Sequence, residues 1–179
     1  MRQSTDKDRN GLAGALERIV LGAGRAACWA NGILVLVIVL QVVLRYAFNS
    51  GMVMLEELEW HLYAVGILFG LSYCVTYGSH VRMDLFSANF STRTRNIIEA
   101  LGILFLLLPF VVIVFLHGMD FFLRSWELSE RSDAPLGLPF RWIIKSAIPL
   151  SFLMLGLAGL ARLIISVQVI TGRGGHGTD

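Results

Sequence analysis

An apolar stretch with polar ends, residues 58–77, limits most strictly what this chain can fold into. Three carboxylates, Glu56, Glu57 and Glu59, stand at its start, and a turn of mixed charge, residues 78–84, follows it. A helix of about twenty residues rises roughly 30 Å, which is the thickness of the hydrocarbon core of a bilayer. The stretch therefore predicts a membrane-spanning helix.

Three further apolar runs are long enough to span a membrane. The composition agrees, because 55% of the 179 residues are hydrophobic, only 16% are charged, and the charges cluster between the runs. We therefore predict an all-α integral membrane protein with four transmembrane helices, at about residues 26–48, 58–77, 97–116 and 140–167. A short amphipathic segment within residues 1–25 can lie along the membrane surface, and residues 168–179 form a tail.

The basic residues predict an orientation. Four spans place both termini on one side of the membrane, and that side holds ten Lys and Arg residues against five on the other. Cytoplasmic loops of membrane proteins are enriched in Lys and Arg. We therefore expect both termini in the cytoplasm, with the carboxylates before the second span and the long third loop facing outward.

Two features concern the packing of the first two spans. Gly66, Gly70 and Gly78 recur at multiples of four, so one face of the second span is a groove of small residues on which another helix can pack; a face turned to lipid is the alternative. Arg45 ends the first span a short loop before Glu56, so its guanidinium can pair with a carboxylate across that loop. Separately solvated charges are the alternative.

Ionisable residues are confined to the ends of the predicted spans. Channels, proton relays and transporters that work alone place such groups at membrane depth, where an ion or polar substrate must be solvated. The sequence also has no glycine-rich phosphate loop, Ser/His/Asp arrangement or Cys/His metal spacing, and its net charge of +2 is too small to indicate nucleic acid as a partner. We therefore expect neither an enzyme nor a cofactor in this chain, but a protein that supports another one.

Several short motifs together resemble a known family. They are Arg45-Tyr46 at the end of the first span, Glu56-Glu57 at the start of the second, Gly70 within it, and Gly78-Ser-His80-Val-Arg82-Met-Asp84 after it. In this order they resemble the DctQ-like small membrane subunit of tripartite ATP-independent periplasmic (TRAP) transporters. The similarity covers roughly residues 30 to 165, and the combination is specific although no single motif is.

The resemblance implies a secondary transporter of three parts in the bacterial inner membrane. A periplasmic binding protein would deliver a small organic solute, a carboxylate by family analogy, to a large membrane subunit that carries the solute and sodium. This chain would brace that subunit among the membrane lipids. The positions expected to contact the partner or to fix the fold are Arg45, Glu56, Glu57, Gly66, Gly70, Gly78, His80, Arg82 and Asp84. The alternative is that these residues only anchor helix ends.

Two other classes of membrane protein compete with this interpretation. His61 and His117 are expected near the outer interface on adjacent spans, roughly where a bis-His haem in the membrane anchor of a respiratory cytochrome b complex needs them. A Soret band in the purified protein would identify that class. A small multidrug exporter needs an acidic residue deep in its first span, and residues 26–44 contain none.

Cysteine labelling tests the predicted orientation. Ser129 lies in the third predicted loop and Ser91 in the second. In a background with Cys28 and Cys74 replaced by alanine, Ser129→Cys should react with an impermeant thiol reagent from the periplasm, and Ser91→Cys should not. The reverse labelling pattern would contradict the orientation.

Overall fold

The computed structural model describes residues 12–77 and 91–171, which are almost entirely helical. The elements are α1 (Leu12–Ala47), α2 (Val53–Tyr77), α3 (Thr92–Gly102), a π-helical turn (Ile103–Leu107), α4 (Leu108–Glu127) and α5 (Trp142–Ile170). Four helical stretches are long and apolar enough to cross a membrane: Gly14–Ala47, Val53–Thr76, Arg93–Glu127 and Trp142–Ile170. The predicted all-α class with four spans is confirmed.

The first helix is longer than predicted. The segment expected to lie separately along the membrane surface is instead the first part of α1, which runs unbroken from Leu12. Val20 in this part is fully buried, and Gly24 lies against the ring of Tyr73 in α2. Packing on α2 thus keeps the segment in line with the rest of α1, since it contains no proline that would interrupt a helix.

The third span is one long helix with a π-helical turn in its middle. Pro109 follows directly on that turn and has no N–H to donate to the carbonyl four residues earlier. The helix responds at Leu108, whose N–H donates to the carbonyl of Ile103 five residues back. The helix therefore accommodates Pro109 with a widened turn just before the proline.

Helix α5 lies at the centre of the bundle and contacts every other helix described. Of its most apolar stretch, 44% is buried, against 6 to 17% in the other three spans. Its buried residues are mainly small: Ala147, Ser151, Gly156, Ala158, Gly159, Ala161 and Ser166. Small side chains let helix backbones approach closely in lipid, where the hydrophobic effect adds little to helix association.

Two glycines of α5 lie at close contacts with neighbouring helical segments. A Cβ atom added at Gly156 would lie 3.2 Å from Cγ1 of Val111, and one added at Gly159 would lie 2.7 Å from Cδ2 of Leu107. Pro149 lies inside α5 and is buried. The second half of the chain therefore packs α5 against α4 and the π-helical turn.

Helices α1 and α2 form an antiparallel hairpin in constant register. The chain reverses through a loop in which Asn49 adopts a positive φ of 50°, a conformation that asparagine tolerates. Three pairs of residues meet across the hairpin: Gly24 with Tyr73, Asn31 with Gly66, and Gln41 with Glu56. From each pair to the next, the step along α1 equals the opposite step along α2, so the two helices pack side by side over most of their length.

Two glycines on the predicted small-residue face of α2 have different surroundings. Gly66 is buried, and a Cβ atom added to it would overlap the side chain of Asn31. Gly70, one turn further along, has nothing from the rest of the described chain within 4 Å of such an atom. Gly66 thus lies at a packed contact within this chain. A contact of Gly70 with a partner stays a prediction.

A matched pair of substitutions tests this difference. Gly66→Leu should destabilise the purified chain by about 1–3 kcal/mol, because the new side chain must displace Asn31 or push α1 away. Gly70→Leu, which fills open space, should leave the free energy of unfolding of the isolated chain nearly unchanged. Thermal unfolding in detergent measures both. Equal melting temperatures for the two variants would show that Gly66 is not at a packed contact.

Candidate functional site

The carboxylate of Glu57 joins the start of α2 to the loop between α4 and α5. The hydroxyl of Ser132 donates a hydrogen bond to Oε1 of Glu57. The backbone N–H of Leu138 donates to Oε2 over 2.6 Å. Hydrogen bonds to a charged acceptor are stronger than those between neutral groups. Both carboxylate oxygens are thus used to hold a loop that lies far from Glu57 in sequence.

The loop folds tightly on itself around this carboxylate. The N–H of Ala134 donates to Oγ of Ser132 (3.2 Å), and the N–H of Gly137 donates to the carbonyl of Ala134 (3.0 Å). A Cβ atom on Gly137 would lie 2.5 Å from Oγ of Ser132 and 2.9 Å from Oε1 of Glu57. Only glycine therefore lets the loop approach Glu57 this closely.

A second set of contacts ties the loop to α5. The ammonium of Lys145 donates to the carboxylate of Glu130 and lies over the ring of Phe121, 4.0 Å from its centroid. This hydrogen bond is the main reason that the pKa of Glu130 lies below its ordinary value. Lys145 thus joins α5 to the loop through an ion pair with Glu130.

Aromatic rings cover the same end of the bundle. Trp126 at the end of α4 packs edge-on against Trp142 at the start of α5, with ring centroids 4.4 Å apart. Phe122 and Phe140 also contact Trp142. These aromatic residues form a contiguous cluster that joins the two helices next to the loop.

At its other end, α2 is held by an arginine. The guanidinium of Arg162 in α5 donates to the carbonyl oxygens of Val75 (3.2 Å) and Thr76 (3.3 Å). These carbonyls belong to the last turn of α2, which has no intrahelical donors left for them and carries the negative end of the helix dipole. The charge of Arg162 thus binds the end of α2 to α5.

The structure thus places a polar contact at each end of α2. Glu57 and Arg162 both join α2 to the second half of the chain, and both use groups at helix ends. Residues 34–169 match the family described as "Tripartite ATP-independent periplasmic transporters, DctQ component". This match covers well over half of the chain. The chain belongs to the DctQ family. No curated protein sequence matches it significantly.

Membership of the DctQ family makes this chain the small permease component of a TRAP transporter. The family consists of transporter subunits and not of enzymes. The apolar length of its four helices agrees with a multi-pass membrane protein. The polar contacts of α2 therefore belong to a subunit of a membrane complex that transports a solute.

Within this DctQ chain, the two members of the acidic pair have different partners. Glu57 binds the loop, whereas Glu56 accepts a hydrogen bond from Nε2 of Gln41 at 3.3 Å. Arg45 is exposed and has no ion pair with any residue in the described ranges. The pairing of Arg45 with a carboxylate across the hairpin is thus not formed, and the neutral amide of Gln41 takes that place.

Four further candidate positions lie outside the described residues: Gly78, His80, Arg82 and Asp84. Their roles stay predictions. They follow directly on the end of α2 that Arg162 holds, so the contact with Arg162 lies one turn before this motif. The sequence alone gave no signal for the contact, because the spacing of residues cannot show which helix end a distant arginine reaches.

The two histidines considered as haem ligands each bind their own helix. Nδ1 of His61 contacts the carbonyl of Glu57, and Nδ1 of His117 lies 2.9 Å from the carbonyl of Ile113. In each case the carbonyl is one helical turn earlier. Membership of the DctQ family decides against the cytochrome anchor as the function of this chain.

Two loop glycines provide a test of the Glu57 contact. Gly137→Ala should destabilise the chain by about 1–3 kcal/mol, because the added methyl group overlaps Ser132 and Glu57. It should also speed hydrogen exchange at the amide of Leu138. Gly51→Ala, in the α1–α2 loop, is the control, since a Cβ atom there meets nothing within 4 Å. Unchanged exchange at Leu138 in Gly137→Ala would show that the loop does not depend on this contact.

Proposed function

We propose that this DctQ chain braces the large membrane subunit of its transporter and carries no part of the solute pathway. The transporter takes up a small organic solute, of the carboxylate class, which a periplasmic binding protein delivers. Ion coupling, with sodium as the ion, belongs to the large subunit. The complex lies in the bacterial inner membrane, with both termini of this chain in the cytoplasm.

The observation that carries this proposal is the use of the charged groups near the span ends. Glu57 holds the α4–α5 loop, Lys145 pairs with Glu130, and Arg162 binds the end of α2. Each of these contacts joins two parts of the same chain. A solute or ion pathway needs polar groups at membrane depth that are available to the cargo. Charged side chains near the span ends that already bind other parts of this chain are more consistent with a rigid support than with a solute pathway.

The outer surface of the bundle agrees with a supporting role. Leu36 on α1 is 70% exposed and Leu106 in the π-helical turn is 73% exposed. Both lie on long apolar faces that α5 does not cover, and these faces can be covered by lipid or by a larger membrane protein. A brace needs at least one such face for its partner. This chain offers two, one on α1 around Leu36 and one on the third span around Leu106.

Reconstitution into liposomes tests the proposal. Uptake of a carboxylate solute with a sodium gradient should require the binding protein, the large subunit and this chain together. This chain with the binding protein alone should give none, because it contributes no pathway. Uptake without the large subunit would contradict the proposal.

Tryptophan substitutions on the outer faces test whether the large subunit is braced through one of these faces. Leu36→Trp and Leu106→Trp form a matched pair, since both side chains are more than two-thirds exposed. A variant on the braced face should lower recovery of the large subunit with the tagged small subunit while leaving the melting temperature of the isolated chain unchanged. A tryptophan scan of the exposed positions that finds no such variant would rule out bracing through these faces.

A further inference from the structure

Two acceptor oxygens at the loop end of the α1–α2 hairpin lack a donor. The first is Oε1 of Gln41, a side chain that is only 6% exposed. Its amide nitrogen donates to Oε1 of Glu56 (3.3 Å) and to the carbonyl of Met52 (3.4 Å). These two acceptors fix the orientation of the amide, because the flipped form would set oxygen against oxygen. The amide oxygen of Gln41 therefore stays available to a ligand.

The second oxygen is Oε1 of Glu59, which is inaccessible to solvent and has no hydrogen-bond donor among the residues described. Glu59, Gly66 and Tyr73 follow one another at seven-residue spacing and so share one face of α2. Gly66 and Tyr73 both contact α1. The constant register of the hairpin therefore places Glu59 at the same seam, one helical turn from the position of Gln41.

The group that would satisfy these oxygens must be a donor or a cation. Glu56 and Glu59 are three residues apart on α2, so their carboxylates are neighbours and repel each other. Water cannot reach Oε1 of Glu59, so solvent compensates the charge of this carboxylate only in part. Among the described residues, no basic side chain forms an ion pair with Glu56 or Glu59. The seam thus lacks positive charge.

We infer that Gln41, Glu56 and Glu59 form a binding site for a hard metal cation with oxygen ligands. The donor set is an amide oxygen and two carboxylates, which are ligands that Ca²⁺ prefers. Two carboxylates also balance a divalent charge, whereas Na⁺ would bind to the same oxygens with one negative charge left. The unpartnered amide oxygen of Gln41 would be the third protein ligand beside the two carboxylates.

Such a cation would fix the hairpin at its loop end. Gly24 and Gly66 lie at contacts further along the seam, and Gln41 reaches Glu56 of α2 close to the loop. A cation bound by one α1 ligand and two α2 ligands would hold the two helices together there. The site is separate from the proposed bracing function, because it can be measured on this chain alone.

The test uses the purified full chain in nanodiscs of uncharged lipid, with chelator and N-methylglucamine chloride as the metal-free reference. CaCl₂, MgCl₂ and NaCl are titrated at constant ionic strength. One of these cations should raise the melting temperature saturably by several degrees, and equilibrium dialysis with its radioactive isotope should give one ion per chain. The Ca²⁺ and Na⁺ arms identify which hard cation binds.

Variants connect the effect to the site. Glu59→Gln should abolish both the shift and the bound ion, while Glu127→Gln, an exposed carboxylate at the end of α4, should keep both. If Glu59→Gln is not recovered folded, Glu56→Gln, whose side chain is exposed, carries the same comparison. No shift with any of the three cations, or equal shifts in the site and control variants, would overturn the proposal.

Discussion

Close approach of helix backbones at α5 is the constraint on which the rest of this bundle depends. Lipid tails are as apolar as leucine, so association of helices in a membrane depends on van der Waals packing, and packing improves where side chains are small. Gly156, Ala158, Gly159 and Ala161 place small residues on neighbouring positions of α5, and all four are buried. The other helices can therefore surround α5 while turning most of their apolar residues outward.

Packing by small residues leaves one degree of freedom poorly determined, which is the position of a helix along its neighbour. The polar contacts of α2 supply this missing information. Glu57 fixes one end of α2 against the α4–α5 loop, and Arg162 fixes the other against α5. Because hydrogen bonds have strict distance and angle requirements, they define a register that a smooth apolar surface does not. Charged groups near the span ends thus specify the arrangement of helices that apolar packing stabilises.

Sequence reasoning could reach the helices and part of their packing because those features are local. The apolar runs predicted the four spans, and the spacing of glycines in the second span pointed to a packed face that includes Gly66. The partners of the charged residues could not be predicted from local sequence patterns. Ser132 and Leu138 reach Glu57 only because the loop turns sharply at Leu136, which has a positive φ of 64° that no sequence rule assigns to leucine. Arg45 was an obvious partner for a carboxylate, yet the buried amide of Gln41 is the group that the helix register brings opposite Glu56.

The difference between local spacing and tertiary contact also explains why two glycines one turn apart have different surroundings. Gly66 and Gly70 lie nearly on one face of α2 by spacing, but a helical turn of 3.6 residues rotates each fourth residue by about 40° from the one before it. That rotation carries Gly70 away from α1 while Gly66 stays opposite Asn31. Residues at seven-residue spacing stay closer to one line, which is why Tyr73 and Gly66 both contact α1 and why Glu59 falls on the same stripe. The acidic residues at the start of α2 are thus divided by helix geometry: Glu57 binds the loop, whereas Glu59 lies on the stripe of Gly66 and Tyr73 and has one carboxylate oxygen that is inaccessible to solvent.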